Sequence, residues 1–297
     1  MFKLANYSIN HVADGADNYV HSPSLDIIKT RSMWPTSTGK RVIVAIIDTG
    51  VARTHPALTD KIVNGYNFVP GEAPERYDDE NCHGTHVAGI ISLIAPDAKL
   101  LILRALDKNG SCIVSTLVIS VYYAIDYKDK DGRGVDIINM SLGCPEDSPA
   151  LRQAIEMAVG KGIMVCCAAG NEGDGNSNTQ EFSYPAMYPD VVSVGAVDFS
   201  SQVAKFSNTN NEVDLAAPGD HIWSTLPDGK YGALSGTSMA CPHVAGMAAL
   251  YIEKYGRRFN KRPSEEELYL ILKVMAKDIG ALGIEADTGA GLVSAWL

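Results

Sequence analysis

Short runs of consecutive apolar residues alternate along this chain with segments whose apolar positions recur every three to four residues. RVIVAIIDTG, residues 41–50, is an unbroken apolar run closing on Asp48, Thr49 and Gly50. A strand buried on both faces reads this way. KLLILRAL, VDIINMSLG, GIMVCCAAGN and VVSVGAV repeat the pattern. Between them the periodicity predicts helices over 86–94, 115–127, 149–160, 238–255 and 264–275. Strand and helix in alternation imply an α/β fold, a doubly wound, mostly parallel sheet with helices on both faces. Such sheets place their sites beyond the carboxyl ends of the strands. Asp48, Ser141 and Asn171 each lie at or just past such an end, so they are expected along one edge.

Composition narrows the class. The 297 residues are 46% hydrophobic and 20% charged, enough for a packed core, and no repeat or linker divides them. The formal net charge of -10 argues against a nucleic-acid surface, which needs a basic stripe. No apolar run approaches the roughly 20 residues of a membrane span, and the N-terminus lacks the basic and apolar regions of a signal peptide. Six cysteines (Cys82, Cys112, Cys144, Cys166, Cys167 and Cys241) show no paired C-x-x-C spacing. Free thiols in a reducing cytoplasm fit them best.

Three segments carry candidate chemistry: IIDTG with Asp48, NCHGTHVAG with His83, and LSGTSMACPHVAG with Ser238. Taken alone, Ser238 reads as a helix cap, with Pro242 tolerated in the first turn behind it. Asp48 alone caps a turn. His83 and His86 have the H-x-x-H spacing of a metal pair, but no third ligand cluster is apparent. Taken together they have another use. A serine nucleophile needs a base within hydrogen-bond reach, and that base needs a carboxylate to fix its tautomer.

The motifs NMSLG, AAGNEGDG, SYPAMYP, FSN, APG, STLPDGKYGALSGTSMA and PHVAG, spread over 28–292, resemble the subtilisin-type serine proteases. Within that family, CAAGNEGDG, SYPA and EVDLAAPG look most like the intracellular subtilisins of bacteria. The resemblance implies a serine endopeptidase acting on polypeptides. Ser238 would be the nucleophile, His83 the general base and then acid, and Asp48 its orienting carboxylate. Asn171 would donate to the oxyanion beside the Ser238 backbone N–H. A catalytically silent, peptide-binding relative is the alternative, but all four catalytic positions are filled here. By the same resemblance, Ser141, Leu142 and Gly143 would pair with an extended substrate. Ala168, Ala169, Gly170 and Ser183 would wall the primary pocket, with Glu172 at its mouth. Leu106, Val114, Leu117 and Leu142 would line the outer pocket.

The departures from the family are informative. HGTHVAGIIS runs directly into LIAPDAKLL, leaving no room for the family's calcium-binding loop, and Ala57 stands where the family has an aspartate ligand. No cofactor is therefore expected to be required. A weaker cation site is open to the carbonyls of Ala186, Tyr188 and Val191 with Asp214 nearby. Residues 1–27 form an N-terminal extension ahead of a peptidase domain at 28–297, too short for the long prodomain of secreted relatives. In that extension KLANY keeps Leu4 and Tyr7 of a Leu-x-Pro-Tyr motif that lies across the active site in intracellular relatives, with Asn6 in place of proline. Cys82 beside His83 and Cys241 near Ser238 leave thiol regulation open, and a homodimer stays open as well.

Overall fold

The computed structural model describes every residue except 5, 6, 14, 281, 282, 296 and 297, and only the backbone of 8, 10, 11 and 13. The chain begins with two short strands, β1 (Phe2–Lys3) and β2 (Ser8–Ala13), and two five-residue helices, α1 (Ala16–Val20) and α2 (Pro23–Ile27). Then follow β3 (Ile43–Asp48), β4 (Ile62–Asn67), α3 (His83–Ile94), β5 (Lys99–Arg104), β6 (Ser111–Cys112), α4 (Val114–Asp126), β7 (Ile137–Met140) and α5 (Pro149–Gly160). The second half adds β8 (Met164–Ala168), β9 (Val192–Val197), β10 (Leu215–Pro218), β11 (Ile222–Thr225), β12 (Tyr231–Ser235), α6 (Thr237–Phe259) and α7 (Glu265–Met275).

Seven strands form one sheet in the order β10-β9-β8-β7-β3-β5-β4, with every neighbouring pair parallel. All six residues of β3 are buried, as an unbroken apolar run requires when helices cover both faces. The period-2 alternation divides them. Val44 and Ile46 join the core beneath α3 and α6, whereas Ile43, Ala45 and Ile47 join the core beneath α4 and α5. Each such side chain contributes about 1.5–3 kcal/mol by leaving water. The chain is therefore the doubly wound α/β protein that the pattern predicts.

Some elements depart from the sequence reading. β4 has polar Asn64 and Asn67 and no apolar run, because it is the sheet edge and need not be buried on both faces. α6 reaches Phe259 and ends on Asn260 in the left-handed conformation, φ 53°. Gly246 lets α6 approach α3, since a Cβ there would sit 2.8 Å from the Ile94 Cβ. At the N-terminus, Leu25 and Ile28 are fully buried in the same core as α6. Packing therefore runs unbroken past residue 27, and the segment ahead of α1 is paired to the body through β1 and β2.

Candidate active site

Asp48 ends β3, His83 opens α3, and Ser238 is the second residue of α6 behind its N-cap, Gly236. The parallel sheet brings them to one edge because every strand ends there. Asp48 takes two contacts from the His83 Nδ1, 2.9 and 3.0 Å to its two oxygens, and a third hydrogen bond from the Thr49 N–H at 2.7 Å. The Thr49 hydroxyl in turn accepts from Gly84 N–H at 2.9 Å, tying the first turn of α3 to the end of β3. A carboxylate held this way fixes the imidazole with Nδ1 protonated and Nε2 available as base. That Nε2 is buried and has no hydrogen-bond partner among the described residues.

His86 is no part of this arrangement. It lies fully in the core with Nε2 on the Gly232 carbonyl at 3.1 Å. Burial, opposed by that hydrogen bond, pulls it down to about 3. His83 and His86 thus have separate partners, Asp48 and the Gly232 carbonyl, and do not form a metal pair.

The helix behind Ser238 corrects one expectation. Pro242 is the sixth residue of α6, beyond the first turn, so the helix lacks the N–H that would meet the Ser238 carbonyl. A buried chain of side chains supplies the donor instead. The Cys241 thiol contacts Asn139 Oδ1 at 3.3 Å, the Asn139 amide donates to Ser141 Oγ at 3.0 Å, and Ser141 donates to the Ser238 carbonyl at 3.0 Å. Ser238 Oγ donates in return to the Ser141 carbonyl at 3.0 Å. His83 is fully buried, with the Tyr7 ring against it at 5.1 Å between centroids.

The Asn171 amide, expected as the oxyanion donor, is held from behind. Thr237 gives both its N–H and its hydroxyl to Asn171 Oδ1, each at 2.8 Å, and its hydroxyl accepts from Gly170 N–H at 3.1 Å. With the oxygen so engaged, Nδ2 is the end of the amide that faces Gly236, where a Cβ would stand 3.0 Å away. The N–H groups of the first turn of α6 and the positive end of its dipole converge on the same region. Thr237 escaped the sequence reading, although its place between Gly236 and Ser238 is the visible signal.

The substrate-side residues also come together. Gly143 packs so tightly on Ser183 that a Cβ would meet its hydroxyl at 2.2 Å, and Ala168 and Ala169 are buried. Glu172 stays exposed, its Oε2 accepting from Asn171 N–H and from the Asn208 amide at 3.0 Å each. Leu106, Leu117 and Leu142 are buried with half-buried Val114 packed against them, and buried Phe2 of the chain itself joins the same apolar cluster. Phe2–Lys3 pairs antiparallel with Ser111–Cys112 on one side, and Lys3 exchanges 3.3 and 3.1 Å hydrogen bonds with Gly143 on the other. Leu4 N–H adds a bond to the Gly110 carbonyl at 2.8 Å. Nothing in the sequence marked Gly110–Cys112 as the second edge. Leu4 and Tyr7 are in place; Asn6 lies outside the described residues. At the expected cation site, Asp214 is taken up by Ser193 N–H at 3.0 Å, by Tyr269 and by Lys273 at 3.2 Å. Its charge is thus already matched by an ammonium group, and Val191 N–H bonds to the Tyr188 carbonyl at 3.3 Å.

A carboxylate-held histidine, a serine at a helix N-terminus and an amide pinned toward the same space are the parts of an acyl-transfer serine hydrolase, here arranged beside a peptide-pairing edge. The chain order Asp, His, Ser is the one the subtilisin fold uses. Residues 39–291 match the subtilase family, and the chain belongs to it. It is 46% identical over 256 residues to an intracellular serine protease of Paenibacillus polymyxa, covering 82% of this chain and 77% of that protein. It is 43% identical over 270 residues to the major intracellular serine protease of Bacillus subtilis (strain 168), covering 86% and 83%. Subtilisin E of the same strain is 45% identical over 227 residues, 73% of this chain and 57% of its own length. The chain is a serine endopeptidase.

Proposed function

We propose that this endopeptidase works inside the cell and that its own N-terminal segment occupies the cleft until it is cut away. The pairing of Phe2–Leu4 as the middle strand between Gly110–Cys112 and Gly143 carries this reading. A peptide substrate binds an extended edge through the same main-chain hydrogen bonds, so the segment and a substrate compete for one place. Phe2 in the outer pocket and Tyr7 over His83 add side-chain burial to the competition. The polypeptides favoured by the freed cleft then carry a large apolar residue where Phe2 sits. Asn6, lacking the fixed φ and missing N–H of proline, leaves the segment open to cleavage by another molecule. An intracellular site is supported by the names of the two intracellular relatives and by six cysteines that are all unpaired. Among the described residues no helix is long and apolar enough to cross a membrane.

The test follows intact mass and peptide hydrolysis together. Freshly made protein should start slowly, lose its N-terminal segment at a rate that rises with protein concentration, and accelerate, while Ser238→Ala stays full length. Deleting residues 1–13, which leaves α1 intact, should abolish the lag. An unchanged initial rate after that deletion would show that the segment is no inhibitor.

A further inference from the structure

At the end of the sheet away from Ser238, the residues just before β3, β7 and β8 meet the end of α6 and enclose a groove of about 850 Å³. That volume lies within the range of small-molecule sites. Eight of the chain's 25 Lys and Arg residues line it, although the whole chain has a net charge of -10. Four of the eight are matched: Arg133 by Asp129 and Asp131, Arg257 by Glu253, Lys261 by Glu267, and Arg262 by Asp136. The other four, Lys40, Arg41, Lys128 and Lys161, have no carboxylate within 4 Å among the described residues.

One ordinary cause accounts for part of this charge. A parallel sheet with its helices places helix C-termini at this end, and α4, α5 and α6 all finish at the groove. Each carries the equivalent of about -0.5 charge, roughly -1.5 for three. Four unmatched cations exceed that by more than two charges. The groove's carboxylates cannot supply the difference. Glu253 is already taken up by Thr38 N–H and Lys40 N–H, each at 2.8 Å, and by Arg257. Asp136 accepts from Ile43 N–H at 2.9 Å while holding Arg262. Burial first, then the charges of Arg41 and Arg133, disfavour the Arg262 cation, so the positive groups here repel one another.

We propose that this groove binds an oligophosphate anion through Lys40, Arg41, Lys128 and Lys161. A phosphate group carries about -1.5 to -2 charge and three acceptor oxygens, and guanidinium forks and ammonium groups match it. An extended acidic peptide brings at most one charge per about 3.3–3.6 Å of chain, too dilute for so confined a cluster. The groove's apolar floor, Val42, Val135 and Ile252, leaves room for a base or other apolar group beside the phosphates.

The probe is sodium tripolyphosphate, titrated calorimetrically into full-length Ser238→Ala protein in 0.1 M NaCl. Saturable 1:1 binding with a Kd of about 10–100 μM is expected, weakened at least tenfold by Lys128→Glu with Lys161→Glu. Both residues are exposed and remote from the triad. The same pair in the active enzyme should therefore hydrolyse peptide at the parental rate, which shows that the fold is intact. Should the pair fail to fold, Lys161→Gln alone should still weaken binding severalfold. ATP binding more tightly than tripolyphosphate identifies a nucleotide as the source, and equal binding identifies the phosphate chain alone. The proposal is overturned by sulfate at matched ionic strength giving the same heat, or by unchanged affinity in a folded variant. It is equally overturned by tighter binding of polyglutamate or of oligouridylate, either of which would assign the groove to a macromolecule.

Discussion

Ser141 and Ser238 hold one another by two reciprocal hydrogen bonds of 3.0 Å, each hydroxyl donating to the other's carbonyl. Pro242 makes the first of these necessary, because the N–H four residues along α6 that would meet the Ser238 carbonyl does not exist. Ser141→Ala therefore leaves a buried carbonyl unmatched, at a cost of about 1–3 kcal/mol. Pro242→Ala returns the missing donor. In urea unfolding of Ser238→Ala protein, Ser141→Ala should cost less in the presence of Pro242→Ala than alone. A double-mutant cycle with no coupling would refute the link.

Thr237 sets the direction of the Asn171 amide by two hydrogen bonds to its oxygen. Asn171→Ala should lower kcat by roughly 10²–10³ with little change in KM, because the donor serves the transition state. Thr237→Val keeps the N–H to Asn171 but removes the hydroxyl, so the amide is held by one bond instead of two. Its kcat should fall between parent and Asn171→Ala, again at near-constant KM. A Thr237→Val loss confined to KM would contradict a role in orienting Asn171.

These relationships show where sequence reading succeeds and where it stops. Asp48, Ser141 and Asn171 could be placed on one edge because buried parallel strands announce themselves as apolar runs, and every such strand ends on the same side. β4, with Asn64, Gly65 and Asn67, gave no such signal, since at the edge of the sheet it is only partly buried. The exchange between Ser141 and Ser238 joins residues 97 positions apart and depends on a proline's missing donor, which no local pattern records. Likewise the Tyr7 ring over His83, brought back by the pairing of β1, joins residues that no local pattern links.

Cys82 lies beneath the same ring, its sulfur 3.9 Å from the Tyr7 hydroxyl. Burial chiefly, with Asp79 and Asp48 adding, pushes its thiol up to about 11 despite that contact, so little thiolate forms near neutral pH. Full-length protein should react slowly with a mercurial. Protein lacking residues 1–13 should react faster and lose activity through the bulk placed next to His83, and a thiol reductant should restore it. Cys82→Ser should be insensitive, because Cys241 is fully buried. Equal reactivity of Cys82 in the two lengths would mean that the segment does not cover it.

The calcium question rests on ligands. α3 runs unbroken to Ile94 and reaches β5 at Lys99 through four residues, and Ala57 brings no carboxylate. Calcium needs several oxygen ligands. At a hundredfold excess over Kd a bound ion would add about 2.7 kcal/mol. Removing calcium with EGTA is therefore expected to leave Tm of Ser238→Ala protein within about 2 °C. A sharp fall would reveal a site built from other oxygens.

Acid should weaken the fold through its core histidines. Burial, opposed by hydrogen bonds to Gly232 and Met239, lowers His86 to about 3 and His243 to about 4. Both are neutral in the folded chain, whereas in the unfolded chain they gain protons below about 6.5. The unfolded state then binds more protons, so this stability is complete above about pH 6.5 and is lost as pH falls toward the folded values. Each histidine contributes a slope of about 1.4 kcal/mol per pH unit. Glu265 acts in the opposite sense. Burial, then Asp190, Glu266 and Asp214, raise it to about 7, so its contribution is full below its ordinary value and is lost as pH rises through about 7. A comparison of variants removes that opposing effect. His243→Gln in Ser238→Ala protein should be less stable than its parent at pH 7.5, and urea unfolding at pH 6.0 and 5.0 should show the gap narrowing by about 1.4 kcal/mol per unit. Parallel pH profiles would mean that His243 is not held neutral by the core.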